Sequence, residues 1–281
     1  LAVVLVPLML IQFYFLYDRY QHKKSDELQT NLEAAQAASR AFELFIQDVL
    51  NQQAVVGLAL SSQRMTPEEM NRFLEKVNSG LGMVRNYAWL SPEGRVLAAR
   101  LPKIVGMDVS DRDYYRKILS GKDWVVSDLM ESRLDGKPIF TISTGIRDEG
   151  WQLLGVVLSV VLPEGLDELL GVERSRGGGI TLGDSKGMLV YRYPHDENLD
   201  WEKRQRYVRS FAIREALEGR EAVEIIPVSH FDGTSRFIAS TPIRSIGWVA
   251  GAGRLYEHVM WPLYASIFGQ TGLLIVVTAL S

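Results

Sequence analysis

The chain has 281 residues, with 31 basic against 34 acidic side chains, four histidines and no cysteine. A near-balanced charge gives no footprint for nucleic acid, and the lack of thiols removes disulfides, thiolate metal sites and cysteine nucleophiles. The length is enough for a sizeable core divided between two domains.

Leu1 to Leu16 is uncharged and almost wholly apolar, with Tyr14, Tyr17 and Tyr20 clustered at its end as in an aromatic belt. About 20 residues span a bilayer, so residues 1–20 are expected as a first transmembrane helix. No small-residue cleavage site follows, which favours a retained anchor over a signal peptide. Because the run opens at Leu1 without an initiator methionine, the native N-terminus is expected upstream.

From Leu28, residues recur in steps of four and three: Leu28, Leu32, Ala35, Ser39, Phe42, Ile46, Val49, Gln53, Val56 and Leu60. This heptad pattern, with polar interruptions at Ser39 and Gln53, predicts a stalk helix over 21–62. Its stripe suits pairing with a second copy in a dimer, or packing along the chain's own globular part. Thr66-Pro67-Glu68-Glu69 is a capping-box start for a second helix. Tyr87–Leu90 and Val96–Ala99 then read as a hairpin joined by the Ser91-Pro92-Glu93-Gly94 turn.

Asp111 to Arg116, Asp-Arg-Asp-Tyr-Tyr-Arg, places charged and aromatic residues at the start of a short helix that Gly121 ends. Strand-like runs follow at Trp124–Ser127, Pro138–Ser143 and Leu153–Val161, separated by the Asp135-Gly136 and Glu149-Gly150 turns. Leu166–Leu170 is a short apolar helix, and Arg176 to Gly179 breaks it. The pattern then restarts: a hairpin of Ile180–Leu182 and Met188–Arg192, a helical stretch Tyr207–Leu217, and strands Ala222–Val228, Arg236–Pro242 and Trp248–Gly253. Corresponding points lie about ninety residues apart, which predicts two tandem PAS-like modules with antiparallel sheets over 63–170 and 171–257. Gly177 to Gly179 read as a hinge between them. Val259 to Ser281 carries no charge, and 258–281 is expected as a second transmembrane helix, with any cytoplasmic part beyond it. The predicted class is therefore α+β, with a transmembrane helix and stalk before the two modules and a second transmembrane helix after them.

Arg112, Tyr114, Tyr115 and Arg116 bring two guanidinium groups and two phenols to one helical turn. A guanidinium is a planar fork for carboxylates, and phenols add a stacking face and a hydroxyl. Thr141 and Ser143 alternate with apolar residues on one strand, so both hydroxyls share a face turned to a pocket or to water; Tyr87 and Trp89 share a face in the same way, as pocket lining or core. The second repeat offers only Arg209 and Arg214 in its helical stretch, without adjacent tyrosines, so a ligand is expected in the first module and not in the second. His195, Asp196, Glu197 and Asp200 form the one dense metal-like cluster, but it lacks the glycine-containing loop of a calcium site and reads as a solvated loop. No catalytic arrangement, cofactor motif or metal site is indicated.

The order of Arg112-Asp113-Tyr114-Tyr115-Arg116 on a short helix, a strand ending Val126-Ser127-Asp128, the Asp135-Gly136-Lys137-Pro138 turn, a threonine-bearing strand and Gly155-Val156-Val157 on the last strand resembles the membrane-distal half of a double Cache domain. Such domains are extracytoplasmic ligand sensors of bacterial and archaeal receptors, and the resemblance extends over nearly the whole chain. In amino-acid-binding members the matching turn is Arg-x-Trp-Tyr, and an aspartate on the last strand anchors the ligand's ammonium group. Arg112 and Tyr115 match; Tyr114 replaces the tryptophan, and Val160 stands where the aspartate would be. An apolar Val160 cannot offset an ammonium charge taken out of water, so the resemblance implies a carboxylate or other small organic anion. Glu131, where the family often has a further acidic contact, keeps an amine open. The implied protein is a multi-pass receptor of the cytoplasmic membrane with its globular region outside and a homodimeric stalk. Its implied output is a histidine kinase before a diguanylate cyclase or chemotaxis domain. A tethered extracytoplasmic enzyme, or a ligand-free structural ectodomain, are the alternatives.

Overall fold

The structure, a computed structural model, describes residues 2–63, 65–77, 83–171, 177–196, 199–229 and 232–266. Helix α1, Ala2–Ser62, runs unbroken for 61 residues, a length of about 90 Å at 1.5 Å per residue. Helix α2, Pro67–Lys76, starts on the Thr66 cap, whose hydroxyl accepts from Glu69 N (3.3 Å) while Glu69 Oε2 accepts from Thr66 N (2.8 Å).

The first sheet contains β1 (Val84–Leu90), β2 (Val96–Ala99), β3 (Trp124–Val126), β4 (Met130–Glu131), β5 (Pro138–Arg147) and β6 (Leu153–Val161). Its order is β2-β1-β6-β5-β3, with β4 also pairing β5. Helix α3, Asp113–Leu119, lies between β2 and β3 in sequence, and α4, Asp167–Leu170, follows β6. The second sheet contains β7 (Gly178–Gly183), β8 (Leu189–Tyr193), β9 (Ala222–Ile226), β10 (Arg236–Ile243) and β11 (Trp248–Leu255), in the order β8-β7-β11-β10-β9. Between β8 and β9 stand α5, Trp201–Gln205, and α6, Phe211–Leu217. Both sheets are antiparallel and place the last strand beside the first, so the internal repeat of the sequence is a repeat of topology.

One face of each sheet packs on α1. Ala35, Phe42, Ile46, Val49, Val56 and Leu60 join a single core with Tyr87, Trp89, Phe140 and Val157 of the first sheet and Ile180, Leu182, Trp248 and Ala250 of the second. At its centre Phe42 stacks on Trp248 (5.4 Å between ring centroids), and Phe140 meets both edge-on, at 5.9 and 5.2 Å. From Ala35 to Leu60 the heptad stripe is therefore covered by the chain's own sheets. Nearer the N-terminal end the second module lies along the stalk, and Leu28 and Leu32 stay only partly buried there. Glu27 pairs with Arg254 at 3.1 Å, Gln36 bonds Glu221 at 2.9 Å and Ser245 bonds Glu43 at 2.8 Å. The exposed apolar residues of the stalk's upper half are Leu44, Val55 and Leu58, on another face.

Gln53, the polar interruption, is fully buried: its Nε2 donates to Ile142 O and Ser159 Oγ, both at 2.7 Å, and its Oε1 accepts from Thr144 Oγ1 at 2.6 Å. One turn on, Gly57 lets β5 approach closely, since a Cβ there would lie 2.2 Å from Ile146 Cδ1. The two sheets also touch directly. Asp184 of the β7–β8 turn accepts from Leu129 N at 3.1 Å, and Asp128 accepts from Ser185 Oγ at 2.6 Å.

Among the described residues no helix is long and apolar enough to cross a membrane. Leu10, Ile11, Phe13, Tyr14, Phe15 and Tyr17 of α1 are nevertheless exposed. Residues 256–266 are helical and carry exposed Trp261 and Tyr264; the rest of the second expected span, 267–281, lies outside the described residues.

Candidate functional site

The face of the first sheet turned away from α1 carries a second core, in which Ala88, Leu90, Val156 and Leu158 pack against Tyr114, Tyr115 and Ile118. Strand alternation sorts these faces: Asn86 and Ala88 look to the α3 side while Tyr87 and Trp89 look to the stalk. A cavity of about 70 Å³ opens in this second core. Its floor is Asn86, Thr141, Leu158 and Val160; α3 supplies Tyr114 and, at its N-cap, Arg112; the segment around β4 adds Met130, Ser132 and Arg133.

Three guanidinium groups line it, and their partners differ. Arg85 is held by Asp135 at 2.8 Å, and its hydrogen bond keeps the Asp135 carboxyl at about 2, below the usual carboxylate range. Arg133 pairs with Asp111, whose carboxyl is also held low by that bond. Among the described residues the Arg112 guanidinium makes its hydrogen bonds to neutral groups, the Met130 sulfur at 3.5 Å and the Glu131 carbonyl at 3.3 Å, and it also lies in the field of the neighbouring Asp111 carboxylate. The Tyr114 hydroxyl makes no hydrogen bond to a described residue, and burial pushes its phenol up, so it stays protonated as a donor. Thr141 Oγ1 is buried and has no partner among the described residues. A cation and two hydroxyls thus converge on one cavity, and no acidic side chain is among the described residues that line it.

The other expected site residues stand elsewhere. Tyr115 is fully buried with its hydroxyl donated to the Pro92 carbonyl, tying α3 to the β1–β2 turn. Arg116 is exposed on the outer face of α3. Glu131 contributes its backbone carbonyl to Arg112, and its side chain is exposed. Ser143 shares the buried face with Thr141 but lies outside the cavity lining, its Oγ without a partner among the described residues. Tyr87 donates to Gln52 Oε1 at 2.6 Å and Trp89 packs on Gly155, both on the stalk side of the sheet. Sequence reasoning missed Arg85, Asn86, Ser132 and Arg133. Asn86 alone carried a signal, as a polar residue that alternates with Tyr87 and shares an inward face of its strand with Ala88; its Oδ1 accepts from Leu101 N at 3.0 Å.

The metal-like cluster is dispersed. His195 Nε2 contacts Asp167 Oδ2 at 2.6 Å, Asp200 caps α5 and Asp196 faces Lys203 at 3.7 Å, while Glu197 lies outside the described residues. Among the described residues no group of His, Asp and Glu is arranged to hold a metal ion.

Comparison with known proteins gives a consistent picture. A family model described as Cache domain matches residues 21–260. The extracellular domain of rpHK1S-Z16, described as a histidine kinase, superposes with a TM-score of 0.69 at 20% identity, covering 86% of this chain and 98% of that one. The ligand-binding domain of the Pseudomonas fluorescens chemoreceptor CtaA, in complex with L-isoleucine, gives 0.66 at 17% identity over 86% and 98%. That of the Campylobacter jejuni chemoreceptor Tlp3 with L-norvaline gives 0.60 at 13% identity over 85% and 94%. Sporulation kinase D of Bacillus subtilis (strain 168) is 21% identical over 178 residues, 61% of this chain and 34% of that protein. The chain thus spans about a third of the length of that curated relative.

Proposed function

The chain belongs to the Cache domain family, whose members are ligand-sensing modules and not catalysts, and from that premise we propose that its first module binds a small organic anion for a transmembrane receptor. The observation that carries this reading is Arg112: a guanidinium in a cavity with no acidic side chain among its described lining residues, hydrogen-bonded to neutral groups alone among the described residues, with the Tyr114 and Thr141 hydroxyls beside it. A charge-assisted fork to a carboxylate satisfies all three. Size narrows the class. A water-sized group occupies about 10–15 Å³ of such space, so the cavity of about 70 Å³ takes about five non-hydrogen atoms, a carboxylate of two to four carbons.

An amino acid is the second reading, favoured by the fold's likeness to domains crystallised with L-isoleucine and L-norvaline. Against it stands Val160, apolar in the cavity floor where an ammonium group would need an anion.

In this proposal the exposed apolar end of α1 and the helix beginning at residue 256 lie in the cytoplasmic membrane and the globular region outside it. Occupation of the cavity shifts α3 and the first sheet, and α1 carries the shift to a histidine kinase output, with a cyclase or chemotaxis domain as the other candidates. Titration calorimetry of the whole chain with acetate, propionate, lactate and malate, against isoleucine and norvaline, tests the ligand class. Binding of a carboxylate that weakens tenfold or more in Arg112→Ala supports the anion site, since a charge-assisted bond is worth about 1.5–3 kcal/mol. Binding of the amino acids alone, or an Arg112→Ala variant of unchanged affinity, refutes it.

A further inference from the structure

The second module contains a larger space, a cavity of about 250 Å³ between the sheet face turned away from α1 and the α6 side. Its origin is legible in the strands. On that face β7 presents Gly179, Thr181 and Gly183, and β11 presents Val249, Gly251 and Gly253, paired in register as Gly179↔Gly253, Thr181↔Gly251 and Gly183↔Val249. Gly179 and Gly253 leave one end of the floor without side chains, while over Gly183 and Gly251 the space is taken by Tyr207, whose Cε1 would lie 2.6 Å from a Cβ on Gly183.

The chemistry around the space is ordered from floor to rim. Three hydroxyls gather over Gly251: a Cβ there would lie 2.5 Å from Thr181 Oγ1, 2.8 Å from the Tyr207 hydroxyl and 3.6 Å from Ser240 Oγ. Ser240 is fully buried and its Oγ has no partner among the described residues. The walls are apolar, from Leu189, Ile213, Ile226 and Ile238. Arg192, Arg206 and Arg236 stand among the lining residues, and no acidic side chain is among the described ones. Arg236 and Arg192 both reach the carboxylate of Asp232, at 2.6 and 3.5 Å. The described surroundings are those of an apolar chamber with hydroxyls at its base and guanidinium groups beside it.

We propose that this chamber is a second ligand site, for a carboxylate with an aromatic or branched hydrocarbon body too large for the first cavity. The carboxylate meets Arg236 beside its Asp232 partner, the body lies between Ile213 and Ile238, and a hydroxyl on the far end of the body joins the Thr181 and Tyr207 hydroxyls, which bond each other at 2.7 Å. At about 10–15 Å³ for each water-sized group, the chamber of about 250 Å³ admits about three and a half times as many atoms as the first cavity of about 70 Å³. The proposal reverses the expectation that the second module carries no ligand, and it is independent of the anion site at Arg112.

The test is titration calorimetry of the whole chain in detergent with phenylacetate and 4-hydroxyphenylacetate. Saturable binding is expected, tighter for the hydroxylated compound. Ile238→Phe, which fills the chamber with an apolar side chain, should weaken it tenfold or more, and Arg236→Met should do the same. Arg112→Ala should leave it within twofold. Where Arg236→Met lowers the melting temperature by freeing Asp232, Ile238→Phe decides alone. The proposal is overturned if neither compound saturates, if a folded Ile238→Phe binds as the parent does, or if Arg112→Ala abolishes binding and so places both compounds in the first cavity.

Discussion

Replacing Gln53 by leucine tests how the stalk is locked to the first sheet. The side chains are close in size, so the change removes three hydrogen bonds with little loss of volume. Thr144 is only partly buried and can turn to water, whereas Ser159 is fully buried and loses the donor from Gln53, keeping only its hydrogen bond with Tyr87. A buried polar group left unpaired costs about 1–3 kcal/mol, and the Ile142 carbonyl loses a further bond worth about 1 kcal/mol. The apolar leucine returns part of this, so the net destabilisation should be about 2 kcal/mol. Gln53→Ala opens a cavity as well and should reach about 4 kcal/mol. Because the penalty sits on Ser159, adding Ser159→Ala to Gln53→Leu should recover about 1–2 kcal/mol, a coupling that a double-mutant cycle isolates. Urea unfolding followed by the fluorescence of the six tryptophans measures all five proteins, the parent, Gln53→Leu, Gln53→Ala, Ser159→Ala and the double variant. A Gln53→Leu variant as stable as the parent, or a double variant that is merely additive, would refute the reasoning.

Trp248→Ala should cost about 3–5 kcal/mol, and because its ring packs on both Phe42 and Phe140, calorimetry should show one lowered transition for both modules; two separated transitions in the parent would mean that they do not share a core. Asp135 should stabilise the fold at neutral pH through Arg85. Its carboxyl is held at about 2, below the ordinary 3.8, so that contribution is complete above about pH 4 and lost as the pH falls toward 2; the stability gap between the parent and Asp135→Asn should close over that interval, and a gap that widens there contradicts the pairing. Single cysteines placed at Ala35 and Val49, both buried under the sheets, should resist a maleimide in the folded chain, while those at Leu44 and Val55 should react or crosslink. Equal labelling of the two sets would mean that the sheets do not cover the stalk.

The strands, the capping box and the doubling of the module were legible because each rests on local rules: alternation, turn residues and a cap. What sequence could not assign was the partner of each face. A heptad stripe looks the same whether a second helix or a sheet covers it, so Leu28 to Leu60 suggested a seam where the chain's own modules lie. Tyr114 and Tyr115 are adjacent on a helix and therefore point in different directions, yet nothing local says which one meets the cavity; the ring that does is Tyr114, while Tyr115 bonds the Pro92 carbonyl. Arg112 could be singled out because its chemistry is specific, whereas Arg85 and Arg133 arrive from distant segments. The glycines were misread for a different reason. Gly177 to Gly179 suggested a hinge, and only their pairing with β11 shows Gly179 opposite Gly253 on the floor of a chamber.

The unbroken course of α1 gives the molecule a mechanical advantage. Phe42, clamped between the two sheets, is a natural fulcrum, and Tyr17 lies about 38 Å away along the rod at 1.5 Å per residue. A tilt of about two degrees at the fulcrum swings the far end by about 1.3 Å, within the 1–2 Å helix shifts that repack interfaces in switching proteins. On the reading that a small anion fills the first cavity, no gate need open and no lid close: a displacement of a few tenths of an ångström where Gln53 grips the sheet, about 16 Å on the other side of the fulcrum, would swing the long arm through that range, the second module moving with the arm it holds through Glu27, Gln36 and Glu43.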